Sequence, residues 1–307
     1  MDQIRVVFLG TGAAAPTRER NVSSLAVILD GATLLFDCGE GTQHQIMRSS
    51  VRPGSIDAIF ITHLHGDHLF GLPGLLASLG LNGRSRDLQL VGPPGLARFI
   101  AAIPYRGTPY SISVLESEGG AVYVGLGFRV DAALLEHSVP CLGFSVIEDD
   151  RPGTFDVARA AALGVPAGPL FGLLQRGSPV SVGDRVIHPE EVLGSTRPGR
   201  RVTFCTDTRP CSASVSLAWR SDVLIHEATY TSDLAAEAAS RHHSTAAEAA
   251  AVARDADAAS LILTHISARY ASPAALLAEA AAVFPRVTAA SDFIEIVVPA
   301  ARPPAAS

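Results

Sequence analysis

Three histidines and an aspartate lie close together in the chain, at His63, His65, Asp67 and His68. They directly follow the apolar run at 58–61, which predicts a buried β-strand. Imidazole is a common metal ligand, and a carboxylate can bind a metal, bridge two metals or take a proton. The pattern H-x-H-x-D-H at the end of a strand therefore predicts a metal site. The alternative is a surface loop that is merely rich in histidine, and residues further along the chain argue against it.

Three later polar residues, His137, Asp207 and His265, each follow or end an apolar segment that predicts a strand. One histidine in such a place is usually structural, but these three bring the number of candidate metal donors to seven. Seven donors exceed what a single tetrahedral zinc with an open position uses. They suit two metal ions roughly 3.5–4 Å apart that share a bridging carboxylate, an arrangement that activates water and binds a phosphoryl group.

Short apolar and β-branched segments predict strands throughout the chain, and helices follow some of them. Strands are predicted at 5–9, 25–29, 33–37, 58–62, 88–91, 128–135, 142–147, 202–205, 223–226, 260–264 and 293–298. Helices are predicted at 69–79, with an early interruption by Pro73, from 96 to 103, at 246–256 and at 273–283. Asp30-Gly31 predicts a hairpin turn between the second and third strands. This order favours a mixed α/β (α+β) fold with two packed sheets and outer helices, a four-layer αββα sandwich.

Composition and charge restrict the class of protein. The 307 residues are 48% hydrophobic with a formal net charge of -6, which favours one sizeable core and excludes nucleic-acid binding through overall positive charge. No apolar run reaches the roughly 20 residues that span a bilayer, and no signal peptide is recognisable, so we expect no membrane association. The four cysteines lack the close pairs of a zinc knuckle and fit a cytoplasmic protein with reduced thiols.

We expect a single domain over 1–307, with a frayed tail from 300 onward and an insertion at about 148–198. The insertion is rich in proline and glycine and has weak periodicity, which is typical of a functional or disordered loop. A disordered linker between two domains is the alternative. The apolar run at 165–174 is too hydrophobic for a plain solvated linker, and favours an insertion that projects from the body.

The donors His63, His65, Asp67, His68, His137, Asp207 and His265 resemble the metallo-β-lactamase superfamily pattern in chain order. Longer motifs resemble a narrower family, ribonuclease Z, the tRNA 3′-processing endonucleases. These motifs lie at 8–12, 20–21, 37–43, 136–137, 207–210, 226–229, 243–245 and 263–270, so the resemblance covers nearly the whole chain.

The resemblance implies two Zn2+ per chain, with Mn2+ as an alternative ion, and no nucleotide cofactor. It implies one zinc on His63, His65 and His137, the other on Asp67, His68 and His265, and Asp207 as the bridge. Asp67 would also orient or deprotonate the attacking water. His243 would protonate the leaving 3′ oxygen or stabilise its charge. His226 and Glu227 would support that site, although Glu227 could equally be a buried structural partner.

The surroundings of His243 can also be analysed from the residues alone. Thr245 and Glu248 form a capping-box pattern, which predicts that a helix begins there. His243 would then lie beside a helix N-terminus, where backbone N–H groups attract phosphate. The positive end of the helix dipole lies at this N-terminus and disfavours a charged imidazolium. A bound phosphate or a neighbouring carboxylate must therefore offset the dipole if His243 is to be protonated.

The family resemblance implies cleavage of precursor tRNA that leaves a 3′-hydroxyl, by a homodimer in which one subunit's arm holds tRNA cut by the other. The insertion is similar to that arm at Gly168-Pro169 and Leu173-Leu174, but Gln175 stands where the family often has lysine, with Arg176 next to it. Candidates for local positive charge near the cleft are Arg84, Arg86, Arg200, Arg201 and Arg269.

Two alternatives stay open. A general metal-dependent phosphodiesterase of the same fold would act on small substrates, and the arm-like insertion and His243 argue against it. A metal-bound RNA-binding protein without catalysis would also fit the fold, and the presence of Asp67 with all seven donors argues against that.

Overall fold

The computed structural model describes residues 3–29, 31–104 and 108–298. The predicted turn residue Asp30 and the predicted frayed tail at 300–307 lie outside the described residues. The chain forms two compact units, one built from residues up to Ile147 together with those from Arg201, the other from Glu148–Arg200. Among the described residues, no helix is long and apolar enough to span a membrane.

Sixteen strands and ten α-helices are present in the described parts of the chain. The strands are β1 (Arg5–Gly10), β2 (Ser24–Leu29), β3 (Ala32–Phe36), β4 (Ile56–Phe60), β5 (Leu88–Gly92), β6 (Ile112–Glu116), β7 (Gly119–Gly125), β8 (Phe128–Leu135), β9 (Cys141–Glu148), β10 (Val180–Val182), β11 (Arg185–Ile187), β12 (Arg201–Cys205), β13 (Val223–Glu227), β14 (Leu261–Thr264), β15 (Val287–Ala289) and β16 (Glu295–Val297). The helices are α1 (Thr42–Arg48), α2 (Gly66–Leu69), α3 (Leu72–Leu81), α4 (Leu96–Ala101), α5 (Val157–Ala162), α6 (Pro169–Gln175), α7 (Ser212–Leu217), α8 (Ala235–Arg241), α9 (Ala246–Asp255) and α10 (Ala274–Val283).

Two seven-stranded sheets form the first unit, in the orders β16-β1-β2-β3-β4-β5-β6 and β15-β14-β13-β12-β9-β8-β7. Each sheet has a parallel part, β3 to β6 in one and β12 to β15 in the other. The carboxyl ends of parallel neighbours lie at one edge of a sheet, where polar residues that follow the strands can meet. The candidate site residues lie at this edge of both sheets.

The two sheets pack face to face through an aromatic core. Phe36 and Phe60 of the first sheet stack with their ring centroids 4.8 Å apart, and Phe144 of the second sheet lies 5.4 Å from Phe60. A second apolar cluster joins the outer face of the first sheet to α1, α3 and α4, and a third joins the second sheet to α7, α9 and α10. This arrangement confirms the predicted αββα sandwich.

The predicted strands are present in the first unit, with ends shifted by one or two residues. The segment 69–79 is helical with an early interruption, as predicted, but the break lies between α2 and α3, before Pro73. Pro73 lies in the first turn of α3, where its missing N–H costs nothing, so it starts a helix instead of interrupting one. The prediction lacked β6, β7, β15, α1, α7 and α8, which are short and weakly periodic.

The second unit, Glu148–Arg200, has its own small core. Helices α5 and α6 and the antiparallel hairpin β10–β11 surround the buried side chains Ala160, Val165, Leu174, Val180, Ile187 and Val192. At its base Arg200 donates to both carboxylate oxygens of Glu148, at 2.9 and 2.8 Å. A segment with a buried core of this kind is not a structureless linker.

Candidate metal centre and its proton donor

The seven predicted donors come together at the carboxyl-end edges of the two sheets. The cluster that begins at His63 follows β4, and the other three donors follow β8, β12 and β14. Their ligand atoms form two groups in which every pair lies within 4.8 Å. One group is His63, His65, His137 and Asp207, and the other is Asp67, His68 and His265.

The two oxygens of Asp207 face different groups of donors. Oδ2 lies 3.7 Å from His63 Nε2 and 4.0 Å from His137 Nε2. Oδ1 lies 3.3 Å from His68 Nε2 and 3.2 Å from His265 Nε2. Ligands held about 2.0–2.2 Å from a tetrahedral ion are themselves about 3.3–3.6 Å apart, so these separations suit an ion on each side of the carboxylate.

Three polar residues at the site have strained, left-handed backbone conformations. Asp37 directly follows β3, Asp207 lies two residues after the end of β12, and His265 directly follows β14; their φ angles are 57°, 53° and 54°. The left-handed region is unfavourable for residues with a Cβ, although Asp and His visit it more often than most. Such strain persists where the surrounding structure fixes it, and it concentrates at functional sites. The turns after β12 and β14 bring Asp207 and His265 into the donor groups, and the turn after β3 places Asp37 against His68.

A buried carboxylate that sequence reasoning left without a role, Asp37, supports two of the histidines. Its Oδ2 lies 2.7 Å from His68 Nδ1, and Thr62 donates its N–H and hydroxyl to the same carboxyl group. The Thr62 hydroxyl lies 3.0 Å from His63 Nδ1. With Nδ1 engaged in this way, each ring presents Nε2 to the site, as is usual for metal-binding histidines.

Backbone groups support two further donors. The carbonyl of His242, a left-handed residue, lies 3.1 Å from His137 Nδ1. The N–H of Ala14, also left-handed, donates to Asp67 Oδ2 at 2.9 Å. Neither could be predicted, because a backbone group carries no signal in the residue type.

The electrostatics favour bound cations. Burial lowers the pKa of both His63 and His137, which keeps these rings in the neutral form that binds metal. Burial acts to raise the pKa of Asp67 and Asp207, but the surrounding histidines outweigh it and hold both carboxyl groups ionised. His68 differs, because burial acts to lower its pKa but the charges of Asp207 and Asp37 raise it. The site therefore combines buried negative charge with two imidazoles, His63 and His137, that are held neutral.

The residues present fit a pair of zinc ions. His68 Nε2 and His265 Nε2 are buried and, within the described part of the chain, have no hydrogen-bond partner of suitable geometry. Buried polar atoms are normally satisfied, and both point toward Asp207. A donor set of imidazole nitrogens and carboxylate oxygens is the kind that zinc prefers.

His243 lies beside this centre and pairs with Glu227. Its Nδ1 is 2.9 Å from Glu227 Oε1, and Glu227 is fully buried. Burial acts to lower the pKa of His243, but the Glu227 charge and hydrogen bond raise it to about 9. The predicted capping box of Thr245 and Glu248 is present and starts α9. Glu227 therefore supplies the carboxylate that was expected to offset the helix dipole.

His243 also lies near enough to count as a donor itself. Asp207, His243 and His265 form a third group whose ligand atoms lie within 4.8 Å of one another. A histidine bound to a carboxylate through Nδ1 is equally suited to ligation and to proton donation. The metal content of a variant without the His243 imidazole distinguishes ligation from proton donation. Among the described residues, His226 belongs to none of the three donor groups, and its Nδ1 lies 2.8 Å from the carbonyl of Glu227.

The centre opens into a cavity of about 460 Å³ whose lining includes Asp67, His243 and two arginines, Arg241 and Arg269. Arg269 lies over the ring of Tyr230 at 4.8 Å. Of the arginines that the sequence offered as local positive charge near the cleft, Arg269 is the one that lines this cavity. Arg84 was a wrong choice, since its guanidinium is buried and donates to backbone carbonyls.

The cysteines are not part of the donor set. Cys205 is fully buried, and burial raises the pKa of its thiol, which disfavours the thiolate that a metal requires. Cys141 donates its S–H to the carbonyl of Thr206. Both therefore act as small core residues.

Comparisons with known proteins agree with this site. A family model described as the β-lactamase superfamily domain matches residues 175–266, and one described as anti-Pycsar protein Apyc1 matches residues 4–99. The chain is 43% identical to "Ribonuclease Z" of Methanosarcina acetivorans over 300 residues, covering 96% of this chain and 98% of the relative. It is 46% identical to "Ribonuclease Z" of Rippkaea orientalis over 310 residues, covering 97% and 99%. The crystal structure of the short form of human tRNase Z superposes with a TM-score of 0.68 at 30% identity, covering 96% of this chain and 99% of that one.

Proposed function

The chain belongs to the ribonuclease Z family of endoribonucleases, and on this premise we propose that it is a zinc-dependent enzyme that removes the 3′ trailer from precursor tRNA and leaves a 3′-hydroxyl. The observation that carries the proposal is the pair of donor groups on opposite oxygens of Asp207, with His243, hydrogen-bonded to Glu227, on the same cavity. Two metal positions suit in-line displacement at a phosphate, and a nearby acid suits an alkoxide leaving group.

We assign the donors to two positions. His63, His65 and His137 would hold one ion, Asp67, His68 and His265 the other, and Asp207 would bridge them. When bound, such ions lower the pKa of a water molecule and neutralise the charge that develops on the phosphoryl oxygens. The buried carboxylates of the chain make this region of the cleft favourable for cations and, with both ions present, for an anionic substrate.

Asp67 would orient the attacking water. Its Oδ2 is fixed by the N–H of Ala14 and lies 3.5 and 3.7 Å from the Nε2 atoms of His68 and His265. A general base works best with a pKa near the operating pH, and Asp67 lies far below it. The positioning role therefore fits Asp67 better than proton abstraction does, which narrows the two roles that the resemblance left open.

His243 would deliver a proton to the leaving 3′ oxygen of the tRNA. Glu227 holds its Nδ1, so Nε2 is the atom left to face the cavity, and the raised pKa keeps the ring charged near neutral pH. An acid that is protonated before the reaction, and oriented by a fixed partner, can protonate the alkoxide as the P–O bond breaks. The imidazolium would also stabilise negative charge on that oxygen.

Substrate recognition would involve both units of the protein. Arg241 and Arg269 line the cavity and could contact the phosphates that flank the cleavage site. We propose Glu148–Arg200 as the arm that holds tRNA, in a cytoplasmic homodimer where one subunit's arm serves the other's site. The arm folds around its own core, as a separate binding element must.

Two measurements on the purified protein test the proposal. Elemental analysis should find about two zinc ions per chain. Incubation with precursor tRNAs, with and without an encoded CCA end, should release a trailer and a tRNA whose 3′ end can be ligated or extended, as a 3′-hydroxyl allows. Hydrolysis of a small aryl phosphodiester without any cleavage of precursor tRNA would favour the alternative phosphodiesterase. Two bound ions without any turnover would favour a non-catalytic RNA-binding protein.

A further inference from the structure

Thr229 makes a contact that the proposed chemistry does not use. Its hydroxyl lies 2.6 Å from Glu227 Oε2 and 2.9 Å from His265 Nδ1. The side chain is 5% exposed, and both partners are buried. One hydroxyl thus touches the carboxylate that holds the proton donor and a histidine assigned to the metal.

The direction of these hydrogen bonds can be deduced. Glu227 Oε1 already accepts from the N–H of Thr208 at 2.6 Å and from His243 Nδ1 at 2.9 Å, so the carboxyl group acts as an acceptor. A hydroxyl has one proton, and the charged oxygen at 2.6 Å is its strongest acceptor; the carbonyl of His265 lies farther away, at 3.1 Å. Thr229 therefore donates to Glu227 and accepts at its lone pair.

This direction determines the tautomer of His265. Because the Thr229 oxygen accepts, His265 Nδ1 must carry the ring proton and Nε2 must carry the lone pair. Nε2 lies 3.2 Å from Asp207 Oδ1 and 3.7 Å from Asp67 Oδ2, where the metal is assigned. The tautomer with a proton on Nε2 would instead place that proton where the metal is assigned, and the ring could not bind the ion.

We propose that Thr229 is a positioning residue that holds His265 in the metal-binding tautomer. Because Thr229 also donates to Glu227, which holds His243, it fixes the position of His265 relative to His243. The proposal rests on the two-metal centre proposed above. Outer partners of metal-binding histidines commonly change metal affinity by about 10–100-fold when removed. Here the effect has a specific cause, since without the Thr229 oxygen as acceptor nothing on the Nδ1 side favours the tautomer that leaves Nε2 free for the metal.

Three variants isolate the hydroxyl. Thr229→Val keeps the shape of the side chain and removes the hydrogen bonds, and Thr229→Ser restores the hydroxyl. Thr203→Val is the matched control, because Thr203 is a fully buried threonine of β12 whose hydroxyl bonds Ser145 and Ser221. Zinc affinity of each chelator-stripped protein is measured by competition with a coloured chelator.

We expect Thr229→Val to weaken one of the two zinc sites by about 10–100-fold and leave the other unchanged. Thr229→Ser and Thr203→Val should match the wild-type protein. Unchanged affinity at both sites in Thr229→Val would overturn the proposal, provided that the wild-type protein binds two ions. A wild-type protein that binds fewer than two ions would instead contradict the proposed function.

The tautomer can also be measured directly in the metal-free wild-type protein. Long-range 1H–15N correlation spectra of the histidine rings distinguish a proton on Nδ1 from one on Nε2. We expect Nδ1–H for His265 in the wild-type and Thr229→Ser proteins, and Nε2–H in Thr229→Val. Nε2–H in the wild-type protein would refute the proposal even if the valine variant did not fold.

Discussion

The pairing of Glu227 with His243 makes a quantitative prediction about pH. Glu227→Gln removes the charge that raises the pKa of His243 to about 9, and leaves the burial that lowers it. The pKa should then fall to the ordinary value of 6.5 or below. The difference, 9 minus 6.5, is about 2.5 pH units, and at about 1.4 kcal/mol per unit it corresponds to about 3.5 kcal/mol. His243 is 15% exposed, so solvent screens this interaction only weakly.

The expected rates follow from the fraction of His243 that is protonated. At pH 8 this fraction is about 90% with a pKa of 9 and about 3% with a pKa of 6.5, so kcat should fall about 30-fold. At pH 6 both proteins are mostly protonated, and kcat should differ by less than about twofold. The direction of the pH dependence follows from the role of His243 as an acid, because the acid form is present below the pKa. Activity should therefore be lost as pH rises through about 9 in the wild-type protein and through about 6.5 in the variant.

The assay is single-turnover cleavage of precursor tRNA between pH 5.5 and about 9.5, with zinc content measured in the same samples. Glu279→Gln is the control, since it removes a carboxylate on α10 whose partner is Ser232, away from the centre. If Glu227→Gln keeps an alkaline limb near pH 9 while retaining its metals, the carboxylate does not set the pKa of the proton donor and the reasoning fails.

Three further predictions concern the donor, the oriented water and the arm. His243→Ala should keep both metals and slow cleavage by about 10²–10⁴-fold; loss of zinc would make His243 a ligand instead. Asp67→Ala should abolish turnover, because it removes a donor and the group that orients water, and near-normal turnover would exclude both roles. Replacing 151–197 with a Gly/Ser linker should leave zinc content and hydrolysis of small phosphodiesters unchanged while weakening precursor tRNA binding, as measured by filter binding. Unchanged binding and cleavage of precursor tRNA would contradict the arm assignment and favour the small-substrate alternative.

The seven candidate donors could be brought together from the sequence because each has a local signal. Asp207 and His265 lie within two residues of the ends of short apolar runs, and the carboxyl ends of parallel strands meet at one sheet edge. The residue types also restrict the chemistry, since few arrangements other than a metal site bring so many imidazoles together. The same logic predicted the αββα layers, since strand order and amphipathic patterns persist over many residues.

The groups that support those donors had no such signal. Asp37 lies 31 positions from His68 in the chain and meets it only because β3 and β4 pair in parallel. The His242 carbonyl reaches His137 across 105 positions. Such contacts depend on the register of strands and on left-handed turns, and a single sequence does not encode these in residue type or spacing.

Glu227 could be singled out from the sequence, but its contacts could not. Its sequence context left two roles open, support of the site or a buried structural partner, and the hydrogen bonds are consistent with both at once. Oε1 receives Thr208 N–H, which fixes the turn that carries Asp207, and also His243 Nδ1. A buried carboxylate without these donors would be costly, so the groups that stabilise its charge are the same ones it orients. Structural and functional roles are therefore inseparable here, which is why Glu227→Gln must be judged by its pH profile and not by loss of activity alone.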